Sequence, residues 1–305
     1  MKKTTLAALA DKSRKFLKTT RALEIDKSKT DEIAALLKKK YEFPASKDFL
    51  RQPLLFYLLI DGLNFCFWNK NKNKKFGYKK HSGSIALGYL ILRTLKKKPE
   101  LFSPENLIHR AGGVYKEILK GSRGELKLKN ERVRILQEIG NFIKRYNFEK
   151  IIKRFENKDV ELFADFMLKN LPYTFNDISN TKNISIPFHK KIRLLTAELN
   201  FHAGIKFKNM EKLLVYADYK IPQVLIYYGM LKLSKQLKEK IEKEKIIRHN
   251  SEEEIAIRAG MVAASEILKN KTKLPYLDID MRLWILGRRM PKNAIPYHKT
   301  ISRFY

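Results

Sequence analysis

Only one cysteine, Cys66, occurs among the 305 residues. It excludes an intramolecular disulfide and a Cys-rich metal site, and it fits a reducing compartment. Glycine and proline are scarce, at 13 and 10, and no stretch rich in Pro, Gly and Ser marks a linker between domains. No apolar run approaches the ~18 residues that a membrane span needs. The N-terminal MKKTTLAALADKSRK offers only Leu6–Ala10 before Asp11, too short an apolar stretch for a signal peptide. The expectation is a cytoplasmic protein without membrane contact.

Acidic residues are also in short supply, with 32 Asp and Glu against 64 Lys and Arg, a formal charge of +32. Such a charge attracts phosphates, on a nucleotide or on a nucleic acid. It also arises when lysines simply cover every solvated face. Lys38–Lys40 and Lys96–Lys98 stand at apparent helix ends, where cations complement the helix dipole. Charge alone leaves both readings open.

Familiar chemical signatures are missing as well. There is no GxxxxGK(S/T) phosphate loop, no GxGxxG, no HExxH and no GxSxG. The six histidines show no i,i+4 pair of the kind that builds a metal-binding helix face. A zinc enzyme is not expected.

What the chain does carry is helical punctuation. Thr30-Asp31-Glu32 opens a short helix that Lys38–Lys40 closes. Ser84 precedes IALGYLILRTLKKK, which Pro99 follows, and Ser103-Pro104-Glu105 offers an N-cap with proline at the first helical position. Ser251 and Glu254 have capping-box spacing ahead of one apolar face, Ile255, Ala259, Val262 and Ala263. Leu233, Leu237 and Ile241 follow the same period in the preceding helix. Strand signals are few. LLFYLLI (54–60) reads equally as strand or helix, ISIPF (184–188) reads as extended, and 176–183 reads as the longest loop. One mainly α domain over 1–305 is the economical organisation.

Three segments carry candidate chemistry. IDGLNFCFW (60–68) places Asp61 after an apolar run, then Asn64, Phe65 and Trp68. Such a carboxylate costs desolvation unless it is partnered, and the aromatic faces suit stacking on a flat heterocycle. The alternative is an aromatic core cluster with Asp61 capping the next element. VYADYKIPQVLIYYG (215–229) groups Asp218, Tyr219 and Gln223, an acid, a phenol and an amide able to orient water or a polar ligand edge. Here the alternative is that Asp218 caps the helix running on from Pro222. IPYHKTISRFY (295–305) bears His298, Lys299 and Arg303, and reads as a docked tail with a possible anion-binding role.

Taken together, these segments resemble the queuosine salvage protein family. ADKSRKFLKTTRALEID (10–26) has its early helical look, and DGLNFCFW looks like its D-x-LNF-x-FW motif. HSGSIALGYLILRTL stands where its next helix falls. FHKKIRLL (188–195) is similar to its F-Y-K-R segment, with His189 in place of Tyr. ADYKIPQVL is close to its ADYR-x-PQ-x-L motif, LDIDMRLW, with Asp280 and Trp284, to its D-x-x-LW element, and PYHKT to its PYHRT terminus. Gly62 and the lysine-rich stretch 69–80 depart from the pattern.

The resemblance implies a single all-α domain similar to helix-hairpin-helix DNA glycosylases that acts on a free nucleotide, with no metal and no organic cofactor. The implied reaction hydrolyses the N-glycosidic bond of queuosine 5'-monophosphate, or a related 7-deazaguanine nucleotide, and releases queuine for tRNA modification salvage. Bond cleavage builds positive charge on the ribose, and Asp218 is the catalytic candidate to stabilise it and to orient or deprotonate water. Asp61, Asn64, Phe65 and Trp68 are candidates for the base, and Tyr219 and Gln223 for positioning ligand or water. Lys190, Lys191, His298, Lys299 and Arg303 are candidates for the phosphate. Competing classes are a DNA or RNA glycosylase or tRNA-binding protein that uses the basic surface, and a non-catalytic binder of modified bases. Nucleic acid is a possible partner, not a required one.

Overall fold

A computed structural model describes residues 8–41, 47–69 and 74–305. The N-terminal apolar stretch and the lysine-rich stretch 69–80 therefore lie partly outside the described residues. The protein is mainly helical. In chain order the helices are α1 (Ala8–Leu17), α2 (Thr30–Leu37), α3 (Leu54–Gly62), α4 (Gly83–Lys97), α5 (Pro104–His109), α6 (Ala111–Ile118), α7 (Lys129–Arg145) and α8 (Phe148–Phe155), followed by α9 (Val160–Asn170), α10 (Pro172–Phe175), α11 (Lys190–Phe201), α12 (Lys220–Tyr227), α13 (Lys235–Glu242), α14 (Glu252–Thr272) and α15 (Tyr276–Arg288). Short strands form three antiparallel pairs: β1 (Leu23–Ile25) with β6 (Leu231–Leu233), β2 (Gly77–Tyr78) with β3 (His81–Ser82), and β4 (Ile178–Asn180) with β5 (Ser185–Pro187). No described helix is long and apolar enough to cross a membrane.

Contacts divide the chain into two units. One comprises Met1–Ala45, Asp177–Lys190 and Met210–Ile301; the other comprises Ser46–Asn176, Lys191–Asn209 and Ser302–Tyr305. Each is assembled from separated stretches, so no linker composition marks a boundary between them.

The first unit is built around α14. Ser251 Oγ accepts the Glu254 amide at 3.3 Å, and Glu252–Glu254 supply acid to the first turn. Ile255–Ser265 are buried without a break. A helix buried on every side must be packed all round, and here α1, α2, α12 and α15 surround it. Gly260 lets the β1–β6 pair approach, since a Cβ there would stand 2.7 Å from Leu23 Cδ2. Leu237 and Ile241 lie buried on α13, whereas Leu233 belongs to β6. Ser234 caps α13 and ends the strand before the helical period begins. Residues 176–183, expected as loop, contain β4. Thr181 N donates to Ile184 O at 2.9 Å and Thr181 Oγ1 accepts the Ile184 amide at 2.9 Å, which turns the chain back into β5.

In the second unit, the ambiguous LLFYLLI is helical. It starts after Pro53, is rich in leucine, a good helix former, and is buried from Phe56 to Gly62. A side chain from α7 secures the segment just beyond α3. Arg132, fully buried, donates to Leu63 O at 3.3 Å and Phe65 O at 2.5 Å. Those bonds satisfy carbonyls of the irregular segment that follows α3.

Candidate active site

The first unit brings two carboxylates into one electrostatic site. Asp218 is half-buried, and its Oδ1 accepts the Lys220 amide at 2.8 Å and the Ile221 amide at 3.2 Å. These are first-turn amides of α12, which have no partner inside the helix. The expected cap is therefore present, and α12 starts at Lys220, two residues ahead of Pro222. Capping occupies only one of the two oxygens. Burial pushes the Asp218 carboxyl above the usual range, against the opposing pull of Lys190, the two amides and Lys220.

Asp280, on α15, is buried and accepts the Tyr216 amide through Oδ1 at 2.7 Å. Its carboxyl is held well above the ordinary value, first by burial and then by the negative charge of Asp218. Two acids that share a buried site cannot both ionise cheaply. Of the two, Asp280 is held further toward its protonated form, and Asp218, beside Lys190 and two amides, ionises the more readily. Asp218 N also donates to Tyr216 O at 2.7 Å. Asp280 therefore anchors a tight turn that carries Asp218.

The other first-unit candidates have definite partners. Gln223 donates to Ile295 O at 2.7 Å and accepts from Lys220 Nζ at 3.1 Å, which ties α12 to the residue just ahead of PYHKT. The Tyr219 ring lies 4.9 Å from that of Tyr297, and Lys220 Nζ stands 5.3 Å from the centre of Tyr297. Lys190, at the start of α11, is buried. Lys299 is buried and pairs with Glu244 at 2.9 Å. His298 is buried, and burial lowers its pKa to about 4, so at neutral pH this phosphate candidate is an uncharged imidazole.

The remaining candidates belong to the second unit. Asp61 is buried in the last turn of α3, where a negative charge opposes the helix dipole. Residues 63–69, next in the chain, form no helix or strand, so the expected capping role is not observed there. The buried Phe65 ring meets the Arg132 guanidinium at 3.8 Å and Lys191 Nζ at 4.8 Å. Trp68 is buried with Lys127 Nζ at 3.9 Å from its ring centre. Asn64 is half-buried beside them in sequence. Lys191 Nζ donates to Gly62 O at 2.8 Å, and Arg303 Nε donates to Tyr173 O at 3.1 Å while its guanidinium lies 4.3 Å from the Tyr173 ring centre.

Two groups escaped selection from sequence. Asp280 was visible only as part of a motif, since nothing local shows that α15 delivers it to Tyr216. Arg258 is fully buried and bonds Asp177, Glu254 and the Ala217 carbonyl. Its signal was a cation between Ile255 and Ala259, on the apolar face of α14.

Comparison with known proteins adds relatives to this geometry. A family model described as queuosine salvage protein matches residues 44–305. A Sphaerobacter thermophilus protein named queuosine 5'-phosphate N-glycosylase/hydrolase is 28% identical over 273 residues, 84% of this chain and 82% of its own. A Dictyostelium discoideum protein of the same name is 30% identical over 263 residues, 82% of this chain and 77% of its own. A third, from Bos taurus, is 27% identical over 277 residues, with 81% of this chain and 80% of its own covered.

Proposed function

Since this chain belongs to the queuosine salvage protein family, we propose that it hydrolyses the N-glycosidic bond of queuosine 5'-phosphate and that Asp218 and Asp280 carry out the chemistry. The observation that carries this reading is the carboxylate pair: Asp280 holds the turn that bears Asp218, and the two carboxyls, close enough to feel each other's charge, are both pushed upward, Asp280 the further.

Breaking the bond between the anomeric carbon and the base nitrogen leaves positive charge on the ribose and an electron pair on the base. The Asp218 carboxylate stabilises that charge and removes a proton from the attacking water, whose oxygen joins the anomeric carbon. A carboxyl pushed upward by burial is a better base near neutral pH than an exposed one. The leaving base needs a proton. A 7-deazapurine has no ring N7 to receive one, so the proton must reach another nitrogen, and Asp280 is the proton-bearing acid of this site. The products are the free base and ribose 5-phosphate.

Base recognition is assigned, from the motif, to Asp61, Asn64, Phe65 and Trp68. Tyr219 and Gln223 are assigned to shaping the Asp218 surroundings. Lys190, Lys191, Lys299 and Arg303 are the candidates for phosphate, with His298 as a neutral donor. The proposal includes the helix-hairpin-helix glycosylase likeness, which a superposition on such enzymes checks.

The deciding experiment incubates purified protein with queuosine 5'-phosphate and measures free queuine by mass spectrometry. Release that disappears in Asp218→Asn supports the reading. No release from the unaltered protein, together with tight salt-sensitive tRNA or DNA binding, replaces it with the polymer-binding alternative.

A further inference from the structure

Arg258 presents up to five N–H donors in a site closed to water. Its Nη1 donates to Asp177 Oδ1 at 3.2 Å and Glu254 Oε1 at 3.4 Å, and its Nη2 donates to Asp177 Oδ2 at 2.5 Å. Nε donates to the Ala217 carbonyl at 3.1 Å. The guanidinium also lies 3.9 Å from the centre of the Phe188 ring. Asp177, held by this arginine, accepts the His189 amide on its own backbone carbonyl at 3.0 Å.

One side chain thus grips two separate stretches of backbone. Ala217 immediately precedes Asp218; Phe188 and His189 immediately precede Lys190. His189 has a φ of 47°, a left-handed conformation that a residue other than glycine holds only when its surroundings impose it. A buried ion pair adds little net stability compared with apolar packing of the same volume. A purely structural account therefore leaves unexplained why a cation and two acids occupy the middle of this core.

We propose that Arg258 is a positioning residue for the hydrolysis, which holds the turn bearing Asp218 and the segment bearing Lys190 in fixed register. The inference rests on the nucleotide-hydrolase reading above. Arg258 touches no reacting atom. It acts through the Ala217 carbonyl on one side, and through Phe188 and Asp177 on the other.

The test is Arg258→Lys in the full chain. Lysine keeps the charge, but its single ammonium cannot span the Ala217 carbonyl and both Asp177 oxygens. The readouts are kcat, the acid limb of the kcat pH profile, and the carboxyl ¹³C titration of Asp218, assigned by its loss in Asp218→Asn. Misplacing a reacting group by about 1 Å costs about 10²-fold in rate, so kcat should fall by up to about that factor. Lys190 favours ionised Asp218, so a displaced Lys190 moves the Asp218 titration upward. The groups that face Asp218 are Lys190, Lys220 and Asp280. Those around Arg258 are Asp177, Glu254, His189, His249 and His298. A folded variant with unchanged kcat and an unshifted Asp218 overturns the proposal.

Should Arg258→Lys not fold, Phe188→Leu removes the ring beneath the guanidinium and leaves the ion pairs intact. A smaller change in the same direction upholds the proposal, and an unmoved Asp218 titration overturns it. If the unaltered protein releases no base, the hydrolase reading fails separately. The Asp218 titration, which needs no substrate, then still decides the role of Arg258.

Discussion

Asp280 on α15 accepts the amide of Tyr216 at 2.7 Å, and so a side chain from one helix fixes the backbone turn that presents Asp218. The charge of Asp218 in turn raises the cost of ionising Asp280. Anchoring rests on a hydrogen bond and the proposed proton donation on titration, so substitutions separate the two.

In Asp280→Asn the amide oxygen still accepts from Tyr216, but no ionisable proton remains. Because the folded-state value of this acid is raised, ionisation costs stability above its unfolded value, and stability falls as pH rises from there toward the folded value. The variant should therefore melt at a higher temperature than the parent at pH 7, while kcat falls at least tenfold. Parallel melting curves and initial rates check this. A variant that melts earlier at pH 7 contradicts the protonated assignment.

Asp218→Asn should leave the start of α12 intact, because asparagine caps nearly as well as aspartate. Turnover should drop by about 10²–10⁴-fold with the loss of the general base. Asp218→Ala should lose the same activity and also about 1 kcal/mol of stability with the cap. Urea titration of both variants distinguishes the two effects. Equal stability of the two would show that the cap contributes nothing.

His298 titrates at about 4 in the folded protein against an ordinary 6.5. The unfolded chain binds this proton first, so stability should fall as pH drops through the window from 6.5 to 4. The difference of 2.5 units corresponds to about 3 kcal/mol. In His298→Gln that share of the acid-side loss should vanish. A Tm-against-pH curve as steep as the parent's in this window would show that His298 is not the group responsible.

Hydrolysis of a free nucleotide should respond mildly to salt, since one phosphate releases few counterions. A protein making 6–10 phosphate contacts with a polymer loses about 10³–10⁵ in affinity between 50 and 200 mM salt. Rates measured across that range should change by less than about tenfold if the +32 charge is a surface property and not a polymer site. A collapse of activity with salt would assign the charge to the substrate.

The sequence by itself determined what depends on neighbours along the chain. Ser103 and Ser251 cap their helices as their spacing predicts, α2 ends where its lysines begin, and Asp218 caps α12. Motif order was enough to place the chain in its family. Tertiary structure decided the rest, because those choices turn on burial and long-range partners. LLFYLLI became a helix once packing surrounded it, and Leu233 was taken by its pairing with Leu23. His298 lost its charge to desolvation, and Arg258 gained its role from an acid 81 positions away. Asp280 became part of the site because α15 places it on Tyr216, 64 positions earlier in the chain. A carboxylate's proton affinity is set by what surrounds it, and only the folded chain defines those surroundings.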